Sequence, residues 1–128
     1  MATEYVMDAS AILAVLNGER GRDRAMKAMS SGRICAINLA EVVSNMAEEG
    51  VRETEIESWA QRLPVVVVDF DRDLAMQAGF LRKTTSHKGL SLGDRACLAL
   101  AMRENLPVMT GDRAWTDLDL PVEVVLIR

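Results

Sequence analysis

The sequence has little histidine and little cysteine, and those shortages remove much of the usual catalytic repertoire. A single histidine among 128 residues excludes chemistry that needs a histidine pair, and His87 stands beside Lys88 and Gly89 in a stretch that reads as an exposed loop. The two cysteines, Cys35 and Cys97, lie far apart, each in an apolar stretch and neither in a CxxC or Cys/His pattern. Zinc is therefore unsupported, and two buried, reduced thiols are expected. No GxGxxG or GxxxxGKS/T loop exists to cradle a nucleotide. No apolar run approaches the ~18–20 residues of a membrane span. The opening residues carry neither the positive nor the apolar segment of an export signal, so a cytoplasmic protein is expected.

What the chain does have is carboxylate in particular places. Asp8 ends an apolar run, Tyr5-Val6-Met7, and Asp112 follows Gly111 at the end of a second run from Leu106 to Thr110. Glu41 and Asp94 fall in the first turns of two predicted helices. Strand ends and helix starts line the crevice of an open α/β sheet, so these four acids could meet there. With only carboxylates available, a shared ligand would be an oxygen-liganded Mg²⁺ or Mn²⁺.

The periodicity supports such a sheet. Strands are predicted at residues 3–8, 33–37, 65–68, 106–110 and 122–127, and helices at 9–17, 19–31, 38–49, 53–62, 71–85 and 91–104. The run Val65-Val66-Val67-Val68 reads as a strand covered on both faces. Strands alternating with helices along one domain, residues 1–128, predict a doubly wound parallel sheet with helices on both faces. In the order 3-2-1-4-5, the first and fourth strands are neighbours and Asp8 and Asp112 sit side by side.

Each acid also has a plain structural role open to it. Asn38-Leu39-Ala40-Glu41 fits a capping box, Ser91-Leu92-Gly93-Asp94 a weaker one, Gly111-Asp112 a turn with a cap, and Asp8 or Ser10 could cap the first helix. Asp94 argues against a cap alone. It heads an apolar stripe (Cys97, Leu98, Ala101) on a helix that is apolar almost all round from Ala96 to Met102, and a carboxylate there needs a partner. Asp117 is close enough in sequence to Asp112 to reach the same place. Asp69, Asp71 and Asp73 follow an edge strand, and Asp71 reads as a helix cap.

The net charge of −4 counts against loose binding to nucleic acid. Two basic segments remain, Arg20 to Lys27 and Arg82 to Lys88. The first of them, with Arg95 and Arg113, supplies candidates for phosphate contacts.

Taken together, Asp8-Ala9-Ser10-Ala11-Ile12-Leu13, Asn38-Leu39-Ala40-Glu41-Val42, Leu90-Ser91-Leu92-Gly93-Asp94 and Thr110-Gly111-Asp112-Arg113-Ala114-Trp115 resemble a PIN-domain ribonuclease, in particular the VapC-type toxin of bacterial toxin–antitoxin pairs. The four stretches fall in the family's order and span nearly the whole chain. The resemblance implies a PIN-like fold and a Mg²⁺- or Mn²⁺-dependent endoribonuclease with Asp8, Glu41, Asp94 and Asp112 as metal-binding and catalytic acids. It implies that Thr110 helps to orient them, that an antitoxin protein blocks the site, and that the chain pairs as a homodimer. Two other classes stay open: a metal-dependent phosphoryl-transfer domain with Asp8 as nucleophile, and a non-catalytic RNA-binding scaffold whose acids are caps.

Overall fold

The computed structural model describes residues 3–128; residues 1–2, part of the stretch read for an export signal, lie outside that description. Five strands form one all-parallel sheet: β1 (Tyr5–Met7), β2 (Gly32–Cys35), β3 (Val66–Val68), β4 (Val108–Thr110) and β5 (Val124–Leu126), in the order β3-β2-β1-β4-β5. The connecting helices are α1 (Ala9–Asn17), α2 (Arg22–Met29), α3 (Ala36–Glu48), α4 (Glu53–Arg62), α5 (Arg72–Thr85) and α6 (Leu92–Glu104). This is the doubly wound arrangement the periodicity predicts.

The period of two in the strands divides the interior into two cores. Val6 and Val108, paired across β1 and β4, face one side with α5 and α6. Their neighbours Met7 and Met109 face the other side with α1 and α2. α6 covers the sheet on the first side, and every residue from Ala96 to Ala101 is buried, as its apolar composition requires.

Three local expectations are corrected. α3 begins at Ala36, two residues before the predicted start, and Cys35 is its N-cap. Asn38 is therefore inside the first turn, fully buried, and the Asn38–Glu41 capping box does not form. β3 is an edge strand, and Val66 and Val67 are 60% and 43% exposed, so the valine run is not covered on both faces. α2 starts at Arg22, later than predicted, because the chain first makes a turn in which Gly18 and Gly21 take φ of 64° and 93°. Gly21 also lies against the Ile127 carbonyl, where a side chain would collide.

Candidate active site

Asp8 leaves β1 at the carboxyl edge of the sheet, and its backbone N–H donates to Met109 O at 2.9 Å, fixing it against β4. It is the N-cap residue of α1 by position, yet its side chain makes no capping bond. Its Oδ2 accepts instead from the Ser10 hydroxyl at 2.6 Å and the Thr110 hydroxyl at 2.9 Å. The two hydroxyls are themselves held. Gly111 N–H donates to Ser10 Oγ at 2.9 Å, and Asp112 N–H donates to Thr110 Oγ1 at 3.1 Å. A buried carboxylate is thus clamped from the first turn of α1 and from the end of β4.

Glu41 comes from the second turn of α3 and reaches across to α6. The Asn38 amide donates to Glu41 Oε1 at 2.8 Å and to the Gly93 carbonyl at 2.9 Å, tying the two helices together. Glycine at 93 leaves room for the Glu41 carboxylate, which a Cβ there would displace. Although Glu41 is exposed as a residue, its carboxylate end rests on Gly93, and the loss of water acts there.

Asp94 enters from the first turn of α6 and does form the capping box. Its Oδ2 accepts from Ser91 N–H at 2.9 Å, and its own N–H donates to Ser91 Oγ at 3.1 Å. Asp112 follows β4 and caps the 3₁₀ turn Arg113–Asp117, accepting from Ala114 N–H at 3.0 Å. Capping and site membership do not exclude each other, because each carboxylate has a second oxygen.

Electrostatics ties three of these acids together. Burial pushes the Asp8 carboxyl above its ordinary value, the Ser10 and Thr110 hydroxyls pull it back, and the charge of Asp94 raises it again. Burial also raises Glu41, against the pull of Asn38, and Asp8 and Asp94 push the same way. The Cys97 thiol, raised well above its usual value chiefly by burial, feels Asp8, Asp94 and Glu41 as well. It is a free, buried thiol, as is Cys35. Asp112 does not figure among the charges acting on Asp8 or Glu41.

The remaining candidates separate cleanly. Arg95 is buried, with its guanidinium donating to Ala78 O of α5 at 2.9 Å, so it is not available for a phosphate contact. α5 packs closely along α6 and leaves no solvent face at that position. Arg113 is exposed. Asp117 is exposed and pairs with Lys88 at 3.4 Å. Asp71 caps α5 and pairs with Arg103 at 2.8 Å, and Asp73 shares that arginine. His87 is exposed.

The donor set suits a hard divalent cation, since it offers carboxylate and hydroxyl oxygens only. Among the described residues no three His, Cys, Asp or Glu side chains already enclose one point. Mg²⁺ does not require that. It is commonly held by one or two carboxylates with waters and substrate phosphate completing the shell. The acids form an open shelf, and a groove of about 510 Å³ between α3 and α4, along Val43, Ala47, Ile56 and Ala60, is lined by none of them.

The sequence profile of the PIN domain matches residues 5–120. The chain belongs to the PIN-domain family. Solved structures share its fold throughout. A DNA-bound VapBC from Salmonella typhimurium superposes with a TM-score of 0.76 at 19% identity, covering 99% of this chain and 100% of that one. VapBC2 from Rickettsia felis, bound to a promoter DNA fragment, gives 0.76 at 15% identity over 97% and 98% of the two chains. A toxin–antitoxin complex from Klebsiella pneumoniae gives 0.74 at 18% identity over 98% of each. No curated protein matches the sequence.

Proposed function

We propose that this PIN domain, residues 1–128, is the endoribonuclease toxin of a toxin–antitoxin pair, hydrolysing RNA phosphodiesters at a Mg²⁺ or Mn²⁺ site formed by Asp8, Glu41, Asp94 and Asp112. One observation carries the reading. Asp8 is buried, makes no side-chain capping bond, and faces the charges of Asp94 and Glu41 at the carboxyl edge of a PIN sheet. The scaffold reading accounts for Asp94 and Asp112 as caps, but leaves Asp8 as a buried charge with nothing to do.

Asp8 would hold the cation from the floor of the shelf, with Glu41 and Asp94 at its sides and Asp112 at the β4 rim. A divalent cation there supplies Lewis-acid chemistry, acidifying a water and offsetting charge that grows on the phosphate. The protein's own part is positional. Ser10 and Thr110 fix the Asp8 rotamer, Asn38 fixes Glu41, and the capping box fixes Asp94. Attack by external water would leave a 5′-phosphate and a 3′-hydroxyl, whereas attack by the RNA's own 2′-hydroxyl would leave a cyclic phosphate. The partners that fit this reading are an RNA substrate, a cognate antitoxin that covers the shelf, and a second copy of the chain. No described helix is long and apolar enough to cross a membrane, and a cytoplasmic location fits the RNA substrate.

The direct test incubates the protein with total RNA in Mg²⁺, Mn²⁺ or EDTA, beside Asp8→Ala. Discrete fragments bearing 5′-phosphates, lost in EDTA and in the variant, are expected. Intact RNA under every condition, in protein freed of antitoxin, overturns the reading. Phosphate trapped covalently on Asp8 would replace it with phosphoryl-transfer chemistry.

Cation binding should also register in stability. Asp8 and Glu41 hold protons more readily folded than unfolded, so their contribution is complete below the ordinary carboxylate range and is lost as pH rises through the raised values. Mg²⁺ binds the ionised forms, so its stabilising increment should grow over that same rise. At ten times its Kd the increment is about 1.4 kcal/mol. Thermal unfolding with Mg²⁺ and with EDTA across the acid-to-neutral range checks this; an increment that is absent or independent of pH contradicts the site.

A further inference from the structure

The carboxyl edge of the sheet carries a cation that the sequence motifs do not mark. β5 runs parallel to β4 with Thr110 opposite Leu126, and Ile127 N–H donates to Thr110 O at 3.0 Å. The register therefore continues past both strands and sets Arg128 beside the Gly111–Asp112 turn. The Arg128 guanidinium lies against Gly111, where a Cβ would stand 2.7 Å from Nη2 and 2.9 Å from Cζ. A side chain at that position would displace the guanidinium. Gly111 N–H is the donor that holds Ser10 against Asp8, so the guanidinium sits one residue from the clamp on the buried acid.

Arg128 is not there to neutralise the acids. Among the described residues it makes no ion pair with any carboxylate. Its one hydrogen bond runs from Nη1 to the Arg20 carbonyl at 3.0 Å, and the side chain is half-buried. That bond aims the guanidinium and leaves other N–H groups free to donate. It also joins Arg128 to the basic segment. Gly21 packs against the Ile127 carbonyl, and Arg22 Nε donates to Val15 O at 3.2 Å, holding the turn between α1 and α2 in place. Arg128 is thereby held against the backbone of Arg20, at the start of the basic segment that leads to α2.

We infer that Arg128 binds a phosphate of the RNA strand adjoining the scissile bond. The inference rests on the nuclease reading above and names the substrate contact that reading lacks. A planar, permanently charged fork is the side chain suited to a phosphate. An anionic substrate approaching a carboxylate cluster also needs cations beside that cluster to offset repulsion.

The test measures binding apart from cleavage. A fluorescein-labelled single-stranded RNA is titrated, at several salt concentrations with Mg²⁺, into Asp8→Asn protein and into the same protein carrying Arg128→Gln, Arg128→Lys or Arg62→Gln. Arg62 lies at the end of α4, on the opposite edge of the sheet, and is exposed. Arg128→Gln should weaken binding about fivefold to tenfold and lower the slope of log affinity against log salt by about 0.7, the value for one single-strand phosphate. Arg128→Lys should keep the slope, and Arg62→Gln should change neither quantity. An unchanged slope and affinity in Arg128→Gln overturn the inference, whether or not the wild type cuts RNA. The expected pattern in a protein whose wild type cuts no RNA would sustain the phosphate contact and sink the nuclease. A protein that binds no RNA overturns both.

Discussion

Asp8→Asn is expected to lower RNA cleavage about 100- to 1,000-fold, the range for removing one preorganised group from a reacting centre, while raising the stability of the metal-free fold. The two effects have one cause. Asp8 is 6% exposed and its carboxyl is raised by burial, so the fold holds the ionised form at a cost until a cation arrives. An asparagine of nearly the same shape keeps an oxygen for the Ser10 and Thr110 hydroxyls and discards the charge. A gain of about 0.5–2 kcal/mol follows from relieving such a site, or a few degrees in Tm for a chain of this size. The gain should shrink as pH falls through the raised Asp8 value, because the wild-type carboxyl is then protonated too. Thermal unfolding in EDTA at two pH values, beside a cleavage assay, reads both effects. A variant less stable than wild type at neutral pH would mean that Asp8 is a structural carboxylate. Asp94 is a poorer probe of the same idea, since its capping box adds a loss unrelated to the metal.

Gly93→Ala should also remove most of the cleavage, by a different route. Gly93 lies inside α6 with ordinary helical backbone, so alanine is favoured there by propensity. The obstacle is the Glu41 carboxylate, which occupies the space of the new methyl. That carboxylate ends a flexible side chain, and it can swing aside at little expense to the fold. Swinging aside breaks its bond to Asn38 and removes it from Asp8. We expect Tm to stay within a few degrees of wild type and cleavage to fall about 10- to 100-fold, the range for losing the orientation of a metal-binding group. Raising Mn²⁺ or Mg²⁺ should recover part of the activity. Full activity in Gly93→Ala would remove Glu41 from the site.

Much of this architecture can be read from the sequence because it depends on local pattern. Alternating apolar strands and helices give the sheet, and an α6 that is apolar all round gives a buried helix. The turn points after Met7 and Thr110 place Asp8 and Asp112 at one edge. What escapes the sequence depends on direction. Asn38 looks like a cap because Asn before Leu-Ala-Glu has that pattern, but the helix begins at Ala36 and turns Asn38 inward toward Gly93. Arg95 looks like a surface cation, and only the packing of α5 shows that it is covered. Ser10 stands in plain view beside Asp8, yet its partner Gly111 is 101 residues away. Arg128 carries no local signal, since its position follows from the register of β5 on β4. The valine run of β3 illustrates the reverse error, for composition alone does not tell an edge strand from a central one.

The central pairing of β1 with β4 bears on when the protein can act during its own synthesis. The Thr110 hydroxyl that holds Asp8 is 102 residues further along the chain. Asp8 leaves the ribosome well before Thr110. Until Thr110 has emerged and β4 has docked, the first acid has no rotamer clamp, Asp112 has no position, and Arg128 has no turn at Gly111 to lie against. On the nuclease reading, a nascent chain that has completed α1 to α5 therefore has no assembled site. On the proposed reading, the site is assembled by one non-local event, the docking of β4 on β1.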